Sequence, residues 1–179
     1  MEKLRKLVEI GSNVAIILVA VVLGYFMVER FTYPQPKPGA ASAETSIKPG
    51  TKLSVQNVDF GKSDKNLILV LSTSCKYCTE SIPFYQRLAE RNAAEKKLNM
   101  VAAFAQEPSE AAKYLIEKNL SVDQIVKTEA SDIQVRGTPT LILTDKNGTV
   151  LESWAGKLSP DKENEVAERV FSSVVVEMN

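Results

Sequence analysis

Histidine is absent from the 179 residues. That absence excludes Ser-His and Cys-His catalysis, and it excludes zinc sites built on imidazole. Cysteine occurs only twice, at Cys75 and Cys78. Two thiols cannot complete a tetrahedral structural zinc site, and no carboxylate spacing suggests further ligands. No metal and no cofactor is therefore expected. Net charge is missing too, because 22 Lys and Arg balance 22 Asp and Glu. Nothing electrostatic points to nucleic acid as a partner. There is no internal repeat. With 44% apolar and 25% charged residues, the chain suffices for one globular domain plus some extra length.

The chemistry left by these exclusions is gathered in residues 67–83, LILVLSTSCKYCTESIP. An apolar run over 67–71 reads as a strand buried on both faces. Ser72, Thr73 and Ser74 follow, with Ser74 a candidate N-cap. The spacing then predicts a helix to about residue 95, since Ile82, Tyr85, Leu88 and Ala89 recur at helical intervals, and Pro83 should kink it. A strand that delivers Cys75 and Cys78 to a helix start has a chemical consequence. Unpaired N–H groups and the positive end of the helix dipole favour thiolate over thiol. Cys75 is the candidate nucleophile and Cys78 the residue that resolves it. A structural disulfide across so short a loop would stabilise little by loop closure, so redox work fits the pair better.

Residues 10–28 carry no charge, and 19 residues of helix span roughly 28 Å, close to the hydrocarbon thickness of a bilayer. Lys3, Arg5 and Lys6 precede the run, which favours an N-terminus in the cytoplasm and the remaining chain outside. Ala41-Ser42-Ala43 resembles a signal-peptide cleavage site but lies about 15 residues past the apolar run, farther than such sites normally sit. The expected layout is a cytoplasmic terminus at 1–9, a transmembrane anchor at 10–28, an extended linker at 29–52 rich in proline, and a folded domain at 53–179. In an oxidising compartment, a cysteine pair kept reduced needs a purpose.

Within the domain, residues 53–60 alternate weakly as a first strand, and 98–104 form a second buried run. Residues 109–118 read as a helix capped by Ser109. A short strand is expected within 120–128, and another over 140–144. Asn147-Gly148 marks a hairpin turn. Ser159-Pro160 opens a closing amphipathic helix through Val174 and Val175. Two parallel strands joined by a crossover, followed by an antiparallel hairpin, define an α/β domain with a mixed sheet.

Residues 53–175 resemble membrane-anchored, extracytoplasmic thiol–disulfide oxidoreductases of the thioredoxin-like type, the redoxin and TlpA-like group. The likeness rests on a strand followed by Cys75-Lys76-Tyr77-Cys78, and on Pro83 five residues after the second cysteine. It rests also on Gly137-Thr138-Pro139-Thr140 opening a strand, and on the Asp145–Gly148 hairpin leading to Trp154-Ala155-Gly156. The resemblance implies a thioredoxin-like fold, its central mixed sheet flanked by helices. It implies a cis Pro139 against the cysteines, with Thr138 pairing to substrate backbone. Expected partners are protein thiols and disulfides, an upstream redox partner protein, and the inner membrane through the N-terminal helix. The expected function is dithiol–disulfide exchange in the periplasm or extracytoplasmic space, with reduction of substrate favoured. The alternative is a non-catalytic binding module.

Two departures from that pattern stand out. Ser74 occupies the place where the family commonly has Trp. The positions that often hold a buried acid are Leu69 on the strand and Ser81 on the helix. Glu80 is one residue off, about 100° around the helix. Lys76, Tyr77 and Glu80 are therefore candidate tuning residues. A peroxide-reducing relative would need an Arg beside Thr73 that cannot be identified, and copper delivery would need a histidine.

Overall fold

Seven consecutive buried residues, KNLILVL, form the central strand β1 (Lys65–Leu71) of a computed structural model. The structure describes residues 18, 19, 21, 22, 47–53, 55, 57–129 and 132–172. β1 pairs in parallel with β2 (Leu98–Phe104) and antiparallel with β4 (Thr140–Asp145). A strand bonded on both edges and covered on both faces cannot alternate polar with apolar residues, which is why it reads as one continuous run. Between these elements lie α1 (Lys76–Glu95) and α2 (Pro108–Glu117). β3 (Gln124–Lys127), β5 (Val150–Ala155) and α3 (Pro160–Phe171) complete the order. The five-stranded sheet runs β3-β2-β1-β4-β5, and its first three strands are parallel.

The side-chain period of two divides the core between the two sheet faces. Leu67, Leu69 and Leu71 enter one cluster with Ile82, Tyr85 and Leu88 of α1, Tyr114 and Leu115 of α2, and Val166 and Val170 of α3. Ile68 and Val70 enter another with Ile47, Leu53, Val55, Ile133 and Val135. Helices α1, α2 and α3 thus bury side chains against one face, and irregular chain covers the other.

The topology decides where chemistry can occur. Antiparallel pairing sets Val70, next to the end of β1, opposite Thr140, the first residue of β4. The segment after β1 and the segment before β4 therefore meet at the same sheet end. That contact joins Cys75 to Thr138, 63 residues apart in the chain.

Several expectations are corrected. Among the described residues of 53–60 there is no strand: an isolated bridge joins the neighbouring Lys52 to Thr149, Asn57 takes a left-handed φ of 65°, and a 3-10 turn occupies Phe60–Lys62. Leu53 and Val55 still bury their side chains, so the alternation was real but the ladder was not. Within the stretch expected as linker, Ile47 is buried and its carbonyl accepts from Ser153 Oγ at 3.0 Å. The N-cap of α1 is Cys75 rather than Ser74, and Glu107 rather than Ser109 precedes α2. The closing helix begins after Ser159 with Pro160 in its first turn, as expected. Val174 and Val175 lie outside the described residues.

Residues 1–37 form a separate unit. In it Leu18, Val19, Val21 and Val22 are helical and exposed; the rest of the expected span at 10–28 lies outside the described residues. Among the described residues no helix is long and apolar enough to cross a membrane.

Candidate active site

Cys75 caps α1 with its own sulfur. Its backbone is extended (φ −82°, ψ 115°), and its Sγ accepts the Cys78 N–H at 3.1 Å. The capping position normally belongs to Ser, Thr, Asp or Asn, whose oxygen answers one orphan donor of the first turn. Here the donor is aimed at sulfur, so negative charge developing on Cys75 meets an N–H and the positive helix end. The preceding turn is held by the Cys75 N–H on the Ser72 carbonyl at 3.2 Å. On its other side the Cys75 thiol donates to the Thr138 carbonyl at 3.4 Å. Cys75 is half-buried; Cys78 is fully buried, and both are thiols.

The buried sulfur behaves differently. Burial pushes the Cys78 thiol up to about 12, and its hydrogen bond with Cys75 adds to the rise. The Ser72 backbone and the Thr138 hydroxyl oppose it. Thr138 thus addresses both sulfurs, by its carbonyl at Cys75 and its hydroxyl at Cys78.

Three contacts fix the loop that carries Thr138. The Thr138–Pro139 peptide is cis, as the family resemblance implies. The Thr140 hydroxyl donates to the Gly137 carbonyl at 2.8 Å. The Gly156 N–H donates to the Pro139 carbonyl at 2.7 Å. Gly156 has a φ of 79°, a conformation that glycine adopts without steric cost, so the end of β5 can turn back onto the proline.

The tuning candidates divide. Lys76 and Tyr77 are exposed beside the cysteines. Glu80 lies at the surface, where it accepts from Lys157 Nζ at 2.7 Å and stands 3.8 Å from Lys76. The Lys157 hydrogen bond holds its carboxyl below the usual carboxylate range. A proton-transferring acid at neutral pH needs the opposite shift, so this placement makes Glu80 an ion-pair partner of the rim. Leu69 and Ser81 are both buried, and the Ser81 hydroxyl donates to the Tyr77 carbonyl at 2.8 Å. Tyr85, one helical turn on from Ser81, is buried as well. Burial drives its phenol well above the ordinary value, and the two nearby sulfurs raise it further. An uncharged Ser81–Tyr85 pair therefore occupies the region behind the cysteines.

Sequence reasoning placed Cys75, Cys78, Thr138 and Pro139 together; it missed Tyr85, Gly156 and the Thr138 hydroxyl. Tyr85 was read only as part of the apolar stripe, since its hydroxyl has no periodic signature. Gly156 belongs to the Trp154-Ala155-Gly156 motif, but its bond to Pro139 depends on the pairing of β4 with β5. Among the described residues, no cluster of three or more Cys, Asp or Glu could hold a metal ion.

The model of the thioredoxin-like domain family matches residues 54–171. The chain belongs to that family. Solved structures share the fold of this thioredoxin-like domain. One, described as a thiol:disulfide interchange protein DsbE from Chlorobium tepidum, is 20% identical with a TM-score of 0.55, covering 69% of this chain and 96% of its own. The thioredoxin domain of a thiol-disulfide oxidoreductase from Bacteroides vulgatus is 15% identical at 0.53, covering 70% and 99%. A thiol:disulfide interchange protein from Bacteroides sp. is 19% identical at 0.51, covering 74% and 91%. No curated protein matches the chain. At such identities the likeness is one of fold, and it agrees with the mixed α/β sheet expected of a thioredoxin-like domain.

Proposed function

We propose that this thioredoxin-like protein is a thiol–disulfide oxidoreductase that reduces protein disulfides through Cys75 and Cys78. One observation carries the reading: a half-buried Cys75 sulfur caps a helix 3.4 Å from the Thr138 carbonyl, with Cys78 buried behind it. The Cys75 thiolate attacks one sulfur of the substrate disulfide. That S–S bond breaks, and the departing sulfur leaves with the electron pair and takes up a proton. Cys78 then gives up its proton and attacks Cys75 Sγ, expelling the second substrate sulfur as a thiol. Two electrons pass to the substrate, and the domain is left with a Cys75–Cys78 disulfide. A dithiol redox partner protein must reduce that bond before the next turn. A Cys78 that stays protonated gives the reduced form no extra stability from a second thiolate, which supports electron donation over acceptance.

The uncharged run at 10–28, with Lys3, Arg5 and Lys6 before it, supports a single-pass anchor in the inner membrane and a domain on the periplasmic or extracytoplasmic side. The layout proposed is a cytoplasmic terminus at 1–9, an anchor at 10–28, a linker at 29–52 and the thioredoxin-like domain at 53–179, with Ile47 near the end of the linker packed on the domain.

The test is reduction of a protein disulfide by the dithiol form. The wild-type protein should consume one substrate disulfide per molecule, Cys75→Ser should fall to the uncatalysed background, and Cys78→Ala should accumulate a mixed disulfide through Cys75. A Cys78→Ala protein that captures no substrate, alongside an inactive wild type, would leave a non-catalytic binding module as the better reading.

A further inference from the structure

The surface around Cys75 is unevenly charged. Lys76 begins α1 with its side chain 82% exposed. Lys157, directly after Gly156, is 45% exposed. Arg136 stands two residues before Thr138, is exposed, and has no hydrogen bond or ion pair among the described residues. Glu80 is the carboxylate on this flank, and it is committed to Lys157 at 2.7 Å, with Lys76 farther away at 3.8 Å. Lys76 and Lys157 thus share one acid while Arg136 has none, and α1 adds its positive end beside Cys75. Across the site the balance differs: Glu110 of α2 accepts from Thr73 Oγ1 at 2.6 Å, and neighbouring Glu107 is bound to Lys127. Because the whole chain has no net charge, the excess at Lys76, Arg136 and Lys157 is a local arrangement and not overall basicity. Tyr77, 49% exposed between the two cysteines, adds an apolar contact beside it.

We infer that this surface selects protein partners whose reactive disulfide is flanked by carboxylates on the side that meets Lys76 and Arg136. The inference rests on the oxidoreductase reading and names its substrate class. Charges spaced around a docking point act chiefly on encounter rate and on rejection of wrong partners, and their effect fades once the Debye length falls below the spacing. A basic partner segment would set its charge against two largely unneutralised cations. An acidic one would complete the pairing that Glu80 leaves open. Glu110 gives the selection a direction, because carboxylates placed toward Thr73 would be repelled.

The experiment uses the full chain in non-ionic detergent, reduced, with three disulfide substrates. Two are peptides identical except that Glu residues flanking the disulfide in one are Lys in the other. The third is neutral bis(2-hydroxyethyl) disulfide. At low salt the Glu peptide should show a kcat/KM about 10-fold above the Lys peptide, narrowing to about 2-fold or less near 0.5 M salt. In Arg136→Glu the Glu-to-Lys ratio should fall by at least about 3-fold, and adding Lys76→Glu should invert it. Reading the ratio within each variant cancels any change that Lys76→Glu makes to Cys75 itself. Equal rates for the two peptides at low salt, with the neutral disulfide still reduced, would overturn the acidic-partner inference and leave the oxidoreductase reading standing. Failure to reduce any of the three would overturn both.

Discussion

At the scale of single residues, the site depends on an inequality between two thiols three positions apart. Cys75 is reachable and bonded to an N–H, whereas Cys78 is sealed and kept protonated by its burial. Limiting iodoacetamide at neutral pH should therefore modify Cys75 alone, with Cys78 labelled only after unfolding; equal labelling of both in the folded protein would remove the assignment of roles. The same inequality has a pH consequence. An unfolded cysteine ionises at ~8.5, and the folded Cys78 at about 12. Between those values the unfolded chain has released a proton that the folded chain retains, so folding is disfavoured as pH rises. Its contribution is fully present below the unfolded value and lost as pH passes the folded one, at most about 1.4 kcal/mol per pH unit for one proton. Denaturant midpoints between pH 8 and 11 should fall more steeply for the dithiol than for the disulfide form, which has no Cys78 proton to lose. Parallel slopes would contradict the sealed thiol. Cys75 and Cys78 were legible as a pair because their spacing is written along the chain. The Thr138 hydroxyl and the Ser81–Tyr85 pair were not, because a buried polar contact is made by the fold and leaves no period behind.

At the scale of elements, apolar runs long enough to fill a buried strand were read correctly, and the errors fall where pattern and pairing part company. Residues 53–60 had the alternation of a strand, but a left-handed Asn57 interrupts the chain there, and among the described residues only the preceding Lys52 finds a bridge. The end of α1 shows how side chains close an element that propensity alone does not. Buried Asn92 donates to the Leu98 carbonyl and accepts the Leu98 N–H, each at 3.0 Å, while its own carbonyl accepts from Lys96 N–H at 2.7 Å. One amide thus joins the last turn of α1 to the start of β2. Asn92→Ala would strand two buried backbone groups at about 1–3 kcal/mol each. We expect a loss of roughly 2 kcal/mol or more in urea unfolding. Asn92→Asp, which keeps the acceptor and loses the donor, should fall between. A loss below about 0.5 kcal/mol for the alanine variant would mean that water replaces both bonds.

At the scale of the whole molecule, the site exists because β4 runs antiparallel beside β1. That neighbour relation was only partly legible, since the Asn147-Gly148 hairpin predicted the β4–β5 pair but nothing local set β4 against β1. What the chain does with that site depends also on where it is held. The anchor proposed for the 19 uncharged residues 10–28 would insert with an effectively irreversible preference for the bilayer, unlike a peripheral contact. Two consequences follow for the proposed cycle of recharging by a redox partner and reduction of substrate proteins. Such a tether would confine both encounters to the membrane surface, and the thioredoxin-like domain itself, whose described core closes from Ile47 to Phe171, should not need it to fold. The full chain should accordingly stay in the membrane pellet through alkaline carbonate extraction. A chain lacking residues 1–37 should appear in the soluble fraction with Cys75 as reactive as before. Release of the full chain by carbonate would refute the anchor. A soluble truncated chain with a silent Cys75 would instead show that the N-terminal unit helps to build the site.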